Sequence, residues 1–324
     1  MMLKPNVEDT VAPRSGDGDA PDVYHRSTVA MDTLVSITVM SPRAEDAVAE
    51  RVDRALGWFR HVEEICSRFE ARSEVSDLAS RVGVPVRVSP VLFAATRVAL
   101  EVARLSSGAF DPTIGQALEQ RGFNRQYVIG QSVTTRLAPA APTYRDVHLD
   151  PERGAIMLRQ PLLLDLGAVA KGLAIDLAAR ELAVLPCVGY AIDAGGDLYV
   201  QGHAAWGGPW RVGVRHPRQA NALWEVLRVS SAAVCTSGGY ERPSPVAAGE
   251  HHLLDPRTGR SPTAVASVTV VAPTAMLADA LATAAFILGP TRGLRLLERQ
   301  RVEGLIVSST LQARATRGFA RYRP

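Results

Sequence analysis

Residues 190–236, YAIDAGGDLYVQGHAAWGGPWRVGVRHPRQANALWEVLRVSSAAVCT, decide the fold class. They hold five short β-rich runs, at 190–192, 198–200, 211–214, 226–229 and 234–236, with turn residues between them and no helical period. Working outward, further strands are expected at 156–158, 267–271 and 305–308. Helices are expected at 169–182, 274–288 and 292–299. Towards the N-terminus, residues 27–40 alternate and are rich in β-branched side chains, as one strand would be. Apolar residues then recur every three or four positions from 44 to 69, the signature of an amphipathic helix. Ser89-Pro90 supplies an N-cap and a first-turn proline for another helix, which Gly108 closes. Residues 126–145 read as a surface loop. Strands and helices cluster rather than alternate, so the chain reads as α+β rather than a doubly wound sheet.

Composition narrows the function classes. At 324 residues, 47% hydrophobic and 21% charged, the chain can bury a sizeable core. A net charge of +3 with 6% aromatics gives no footprint for nucleic acid. Cys66, Cys187 and Cys235 form no CxxC pair, so thiols in a reducing compartment are expected. Residues 1–25 read as a flexible polar tail without an apolar signal region, and no apolar run is long enough for a membrane span. A cytoplasmic protein is expected. Lys4 and Lys171 are the only lysines among 36 basic residues, which marks Lys171 out for a specific role.

Six segments carry candidate chemistry. In TAMLADALATAAFIL, residues 274–288, Asp279 and Thr283 lie four apart and share one face of an apolar helix. A buried carboxylate needs a partner. A Thr hydroxyl, a backbone amide or a hard cation such as Mg²⁺ would each serve. In LLLDLGAVAKGLAID, residues 162–176, an apolar strand is expected to end at Asp165, and a helix to follow a glycine turn. Amides at that helix N-terminus and Lys171 suit phosphate oxygens, although an ordinary turn with a surface lysine has the same pattern. SSGAFDPTIG (106–115) fixes Asp111 in an Asp-Pro turn. DAGGDLYV (193–200) and CTSGGYER (235–242) put glycine pairs at strand ends. HHLLDPRTGRSP (251–262) offers His251 and His252 as proton carriers, and the fold must decide which of them faces inward.

In this order, and together with Met31-Asp32-Thr33 and SRFEARSEVSDL (67–78), these segments resemble the ApbE family, the FAD:protein FMN transferases. The resemblance spans about residues 27–310. It implies an ApbE-like α+β fold with mixed or antiparallel sheets and packed helices, filling one domain over 26–324 that is open to division into two subdomains. It also implies an enzyme that splits the pyrophosphate of FAD, links FMN to a Thr or Ser of an acceptor flavoprotein, and releases AMP. By the same resemblance, Asp279, Thr283 and the carbonyl of Ala168 would hold Mg²⁺. Met31, Phe69, Ala109, Phe110, Asp111, Asp165 and Lys171 would bind FAD. His252 would move the proton, with Asp111 or Asp165 as rival bases. Asp32 and Asp193 depart from the family's frequent Gly and Asn. Two other readings remain open: Mg²⁺-dependent hydrolysis of FAD to FMN and AMP, and a flavin-binding protein without turnover.

Overall fold

The computed structural model describes residues 22–41, 45–125, 130, 132–137 and 141–324. Its first element is a hairpin, where one strand was expected over 27–40. Strands β1 (Asp22–Ala30) and β2 (Thr33–Ser41) pair antiparallel with Ala30 opposite Thr33. The two residues between them, Met31 and Asp32, have φ of 52° and 59°. Two successive left-handed residues match the twist of the flanking strands, which is why such turns usually carry Asn or Gly. With neither present, the β-branched pattern runs through the turn and hides it. Residues 22–25 belong to β1, which moves the expected tail boundary; residues 1–21 lie outside the described residues.

The chain continues through α1 (Glu45–Cys66), α2 (Glu74–Ala79), β3 (Val86–Arg87), α3 (Pro90–Leu105), α4 (Gly115–Gln120), β4 (Val147–Asp150) and β5 (Ala155–Leu158). The predicted cap is present: Ser89 Oγ accepts the Leu92 N–H at 3.2 Å, ahead of Pro90. The expected loop over 126–145 falls partly outside the described residues, and its end, Tyr144–Asp146, makes a 3-10 turn. No strand forms at 162–165. Only Leu163 bridges, in parallel, to Ile114. Leu162, Leu163, Leu164 and Leu166 are instead buried as irregular chain, and a short apolar run cannot distinguish that from a strand.

Then come α5 (Gly167–Leu182), β6 (Gly189–Ala194), β7 (Asp197–Gly202), β8 (Trp210–Arg215), β9 (Leu223–Val229), β10 (Ser231–Gly238), β11 (Val265–Ala272), α6 (Ala275–Arg299), β12 (Glu303–Ser308) and β13 (Ala313–Ala315). The two helices expected at 274–288 and 292–299 are the halves of α6, broken at Gly289 (φ 80°) before Pro290.

Eight strands form one sheet in the order β1-β2-β6-β7-β10-β11-β12-β13, and every ladder in it is antiparallel. Both faces are covered. Alternate residues of β10 point opposite ways: Ala233 and Cys235 join the core under α1, α3, α5 and α6, while Ala232 and Val234 join Trp210, Val212 and Leu227 of the β8–β9 hairpin. Each fully buried Val, Leu, Ile or Phe in these layers contributes roughly 1.5–3 kcal/mol relative to exposure. The helix layer matters most here, because it runs side chains of α5 and α6 to one end of the sheet.

Candidate active site

At that end, β2 and β7 begin, β6 and β10 finish, and β11 begins. The β1–β2 turn lies against the β6–β7 turn. Gly195 donates to the Leu34 carbonyl at 3.1 Å, and a Cβ on Gly195 (φ 66°) would collide with Thr33 Oγ1. Only glycine permits that approach. Met31 is held in the same corner by its N–H, which donates to Glu63 of α1 at 3.0 Å. Asp193 accepts the Gly196 N–H at 2.8 Å and so closes the second turn.

The first cluster lies between α5 and α6. Lys171 Nζ pairs with Asp197 and stands 3.4 Å from Asp279 Oδ2. One turn along α6, Thr283 Oγ1 is 3.1 Å from Ser237 Oγ. Asp197 also accepts the Thr236 N–H at 3.0 Å, which joins β7 to β10. Asp279 and Thr283 are 7% and 8% exposed. Lys171 therefore does not sit on the surface as an ordinary turn lysine would; its side chain is 22% exposed and bridges two carboxylates.

Asp279 is sparsely bonded for so buried a group. Among the described residues, its side chain has one hydrogen-bond partner, the distant Lys171 ammonium. Two carboxylates and two hydroxyls give an oxygen-only donor set, which suits a hard cation such as Mg²⁺. Ala168 occupies the first turn of α5, one turn before Lys171.

The second cluster surrounds Asp165. Arg68, at the end of α1 and 7% exposed, donates from Nε to Asp165 Oδ2 at 2.6 Å and from Nη2 to the Phe123 carbonyl at 2.5 Å. Its guanidinium lies 4.1 Å from the Phe69 ring centroid. Burial pushes the Asp165 carboxyl up, but the charge and hydrogen bond of Arg68, with the Gly167 N–H, outweigh it and hold the group below the usual carboxylate range. That Gly167 bond (3.0 Å) also uses up one amide of the α5 N-terminus, and the Val169 and Ala170 amides turn back to the Leu166 carbonyl. The amide cradle expected there is thus largely satisfied within the chain.

His252 settles which histidine faces inward. His251 has both ring nitrogens engaged, Nε2 with the Pro262 carbonyl at 3.2 Å and Nδ1 with the Leu253 N–H at 3.3 Å. It also packs edge-on against Phe286. His252 Nδ1 is buried with no partner, and its ring meets Phe123 edge-on. Burial, then the charge of Arg242, pushes the His252 imidazole down to about 3, so it is neutral at neutral pH.

Asp111 behaves differently from the other acids. Its Oδ1 accepts from the Thr113 N–H (2.9 Å) and hydroxyl (2.7 Å), and its Oδ2 accepts from the Tyr144 N–H (2.9 Å). Both oxygens are thus occupied by its own loop. Ala109 and Phe110 are buried beside it, and the loop is tied to the second cluster through the Asp165 N–H and the Pro112 carbonyl at 2.8 Å.

Sequence reasoning singled out neither Asp197, Arg68 nor Ser237, although each lies inside a quoted motif. Their partners Lys171, Asp165 and Thr283 are far off along the chain, and no local pattern announces such pairings.

The ApbE family's sequence model matches residues 31–306. The chain is 32% identical over 322 residues to the FAD:protein FMN transferase of Treponema pallidum, covering 91% of this chain and 87% of that one. Among solved structures it resembles the ApbE protein of Thermotoga maritima at 29% identity and a TM-score of 0.81, covering 94% of this chain and all of the other. It also resembles the flavin transferase ApbE of Vibrio cholerae at 25% identity and a TM-score of 0.79, covering 93% and 99%. With this antiparallel sheet, these helices and these ordered motifs, the chain belongs to the ApbE family.

Proposed function

We propose that this protein transfers FMN from FAD to a Thr or Ser hydroxyl of an acceptor flavoprotein and releases AMP. The observation that carries the reading is Asp279, a nearly buried carboxylate left with one long bond to Lys171, with the Thr283 hydroxyl one turn away on the same helix face. In this reading Asp279, Thr283 and the Ala168 carbonyl hold Mg²⁺, which neutralises charge on the pyrophosphate, the main requirement of phosphoryl transfer. Met31, Phe69, Ala109, Phe110, Asp111 and Asp165 line the FAD site. Lys171 adds a positive charge beside the phosphates.

The reaction balances simply. The acceptor oxygen bonds to the phosphorus of the FMN half, the pyrophosphate bond to the AMP half breaks, and the hydroxyl proton passes to a base. His252 suits that last step because its Nδ1 lone pair is unpartnered. Its low proton affinity in the free protein rises when a negatively charged pyrophosphate comes close. Asp111, with both oxygens occupied, acts by holding its loop.

Among the described residues no helix is long and apolar enough to cross a membrane, and the three cysteines are free. Free thiols suit a reducing compartment, so a cytoplasmic acceptor is part of the proposal.

The test follows AMP release and flavin bound to denatured acceptor together, with FAD and Mg²⁺, with and without the acceptor. Flavin retained on the acceptor with equal AMP supports the transferase. AMP accompanied only by free FMN indicates a hydrolase, and bound FAD without AMP indicates a binding protein.

A further inference from the structure

The metal-ligating helix α6 has an unusual start. Its N-cap residue, Thr274, makes no side-chain cap. The first-turn amides are met from another helix instead: Asp176 of α5 accepts the Ala275 N–H at 2.7 Å and the Met276 N–H at 3.0 Å. A carboxylate on the first amides of a helix satisfies orphan donors and opposes the helix dipole. Two further contacts tighten this junction. A Cβ on Gly172 would meet the Ala275 carbonyl and the Met276 nitrogen within 2.5 Å, so the helices touch backbone to backbone. The Cys235 thiol reaches the Ala275 carbonyl at 3.6 Å.

The spacing turns this junction into a positioning device. On α5, Asp176 lies five residues beyond Lys171, about 7.5 Å along the axis. On α6, Asp279 lies four residues beyond Ala275, about 6 Å along the axis. The helices run past each other in opposite senses, since Asp176 meets the start of α6 while Lys171 meets Asp279 further in. Pinning the Asp176 end therefore sets how far Asp279 and Thr283 project towards Ala168 and Lys171. Asp176 is 8% exposed and touches none of the groups proposed to bind substrate or metal.

We infer that Asp176 is a positioning residue that fixes the register of α6 on α5 and thereby sets the affinity of the Asp279–Thr283 site for a divalent cation. The inference rests on the proposed metal role of Asp279. Burial pushes the Asp176 carboxyl up to about 6, the cost of keeping it beneath both helices.

The test uses the full chain with Mn²⁺ as the probe, its binding read by electron paramagnetic resonance. It is run at a temperature where near-ultraviolet circular dichroism is native. Asp176→Ala is expected to weaken Mn²⁺ binding roughly tenfold or more, and Asp176→Asn, which keeps one acceptor, about threefold. In metal-free protein both variants should exchange the Ala275 and Met276 amide hydrogens faster. Folded variants with a lower Tm but unchanged Mn²⁺ affinity would overturn the inference, because a purely structural cap behaves that way. If Asp176→Ala does not fold, Asp176→Asn decides alone. Asp279→Asn is measured alongside: if it binds Mn²⁺ as the parent does, the metal reading itself fails. The exchange data then still report whether Asp176 sets α6.

Discussion

Asp111 and Asp279 are both buried carboxylates in ordered motifs, and they are bonded in opposite ways. Asp111 accepts three hydrogen bonds from its own loop, whereas Asp279 is left with one ammonium at 3.4 Å. A carboxylate supplied with short-range donors spends its charge on the fold. One held between two helices and left short of donors keeps its charge for a ligand. The contrast predicts that the first acid matters to stability and the second to activity.

The sharpest way to break the contrast is Asp279→Ala. Loss of this group should lower FAD cleavage at saturating Mg²⁺ by at least about a hundredfold. The chemical denaturation midpoint should hardly move, because Lys171 retains Asp197. A variant that turns over normally, or one that is mainly unstable, would remove the distinction from Asp111.

The converse test is Asp111→Ala. It leaves the Thr113 and Tyr144 amides without their acceptor, and about 2 kcal/mol of stability should be lost. Urea unfolding reads that directly. FAD cleavage by the fraction still folded should fall far less than in Asp279→Ala. A wild-type unfolding midpoint would show that the loop does not depend on this carboxylate.

Lys171→Ala probes the cation between the two regions. One charge-assisted contact to a phosphate is expected to contribute about tenfold in FAD affinity, or about 1.4 kcal/mol. Fluorescence titration with FAD measures it. An unchanged affinity would confine Lys171 to its ion pairs with Asp197 and Asp279.

The same contrast explains what could be read from the sequence. Periodicity located most of the strands and helices, because each element buries one face and repeats with its own period. The Asp279–Thr283 pair was legible for that reason: two polar residues four apart on an apolar helix. Lys171 was legible through its rarity. The β1–β2 turn was not, since Met31 and Asp32 adopt left-handed backbone without the usual glycine or asparagine. Nor was the irregular path of 162–166, whose leucines are buried without a ladder. The partners Arg68 for Asp165 and Asp197 for Lys171 were hidden because tertiary packing alone joins them. Which of His251 and His252 turns inward also depended on packing, namely on His251 filling the space beside Gly239 and Phe286.

His252 gives the finest test, because it lies beside the Asp165 cluster yet carries an unpartnered nitrogen. Its folded-state value of about 3 is below the ordinary 6.5. Between those two pH values the unfolded chain binds the extra proton and the native protein does not. Stability must therefore rise with pH through that window and fall on acidification. The loss from this one group is about 1 kcal/mol between pH 6.5 and 5.5. His252→Gln should flatten that slope while leaving stability above pH 7 nearly unchanged. In the parent, the His252 ring resonances should not titrate between pH 5 and 8 until FAD is added, when the approaching pyrophosphate raises the proton affinity. A midpoint near 6.5 in the free protein would mean that the ring is solvated, and that its buried nitrogen is not held in reserve for the attacking hydroxyl.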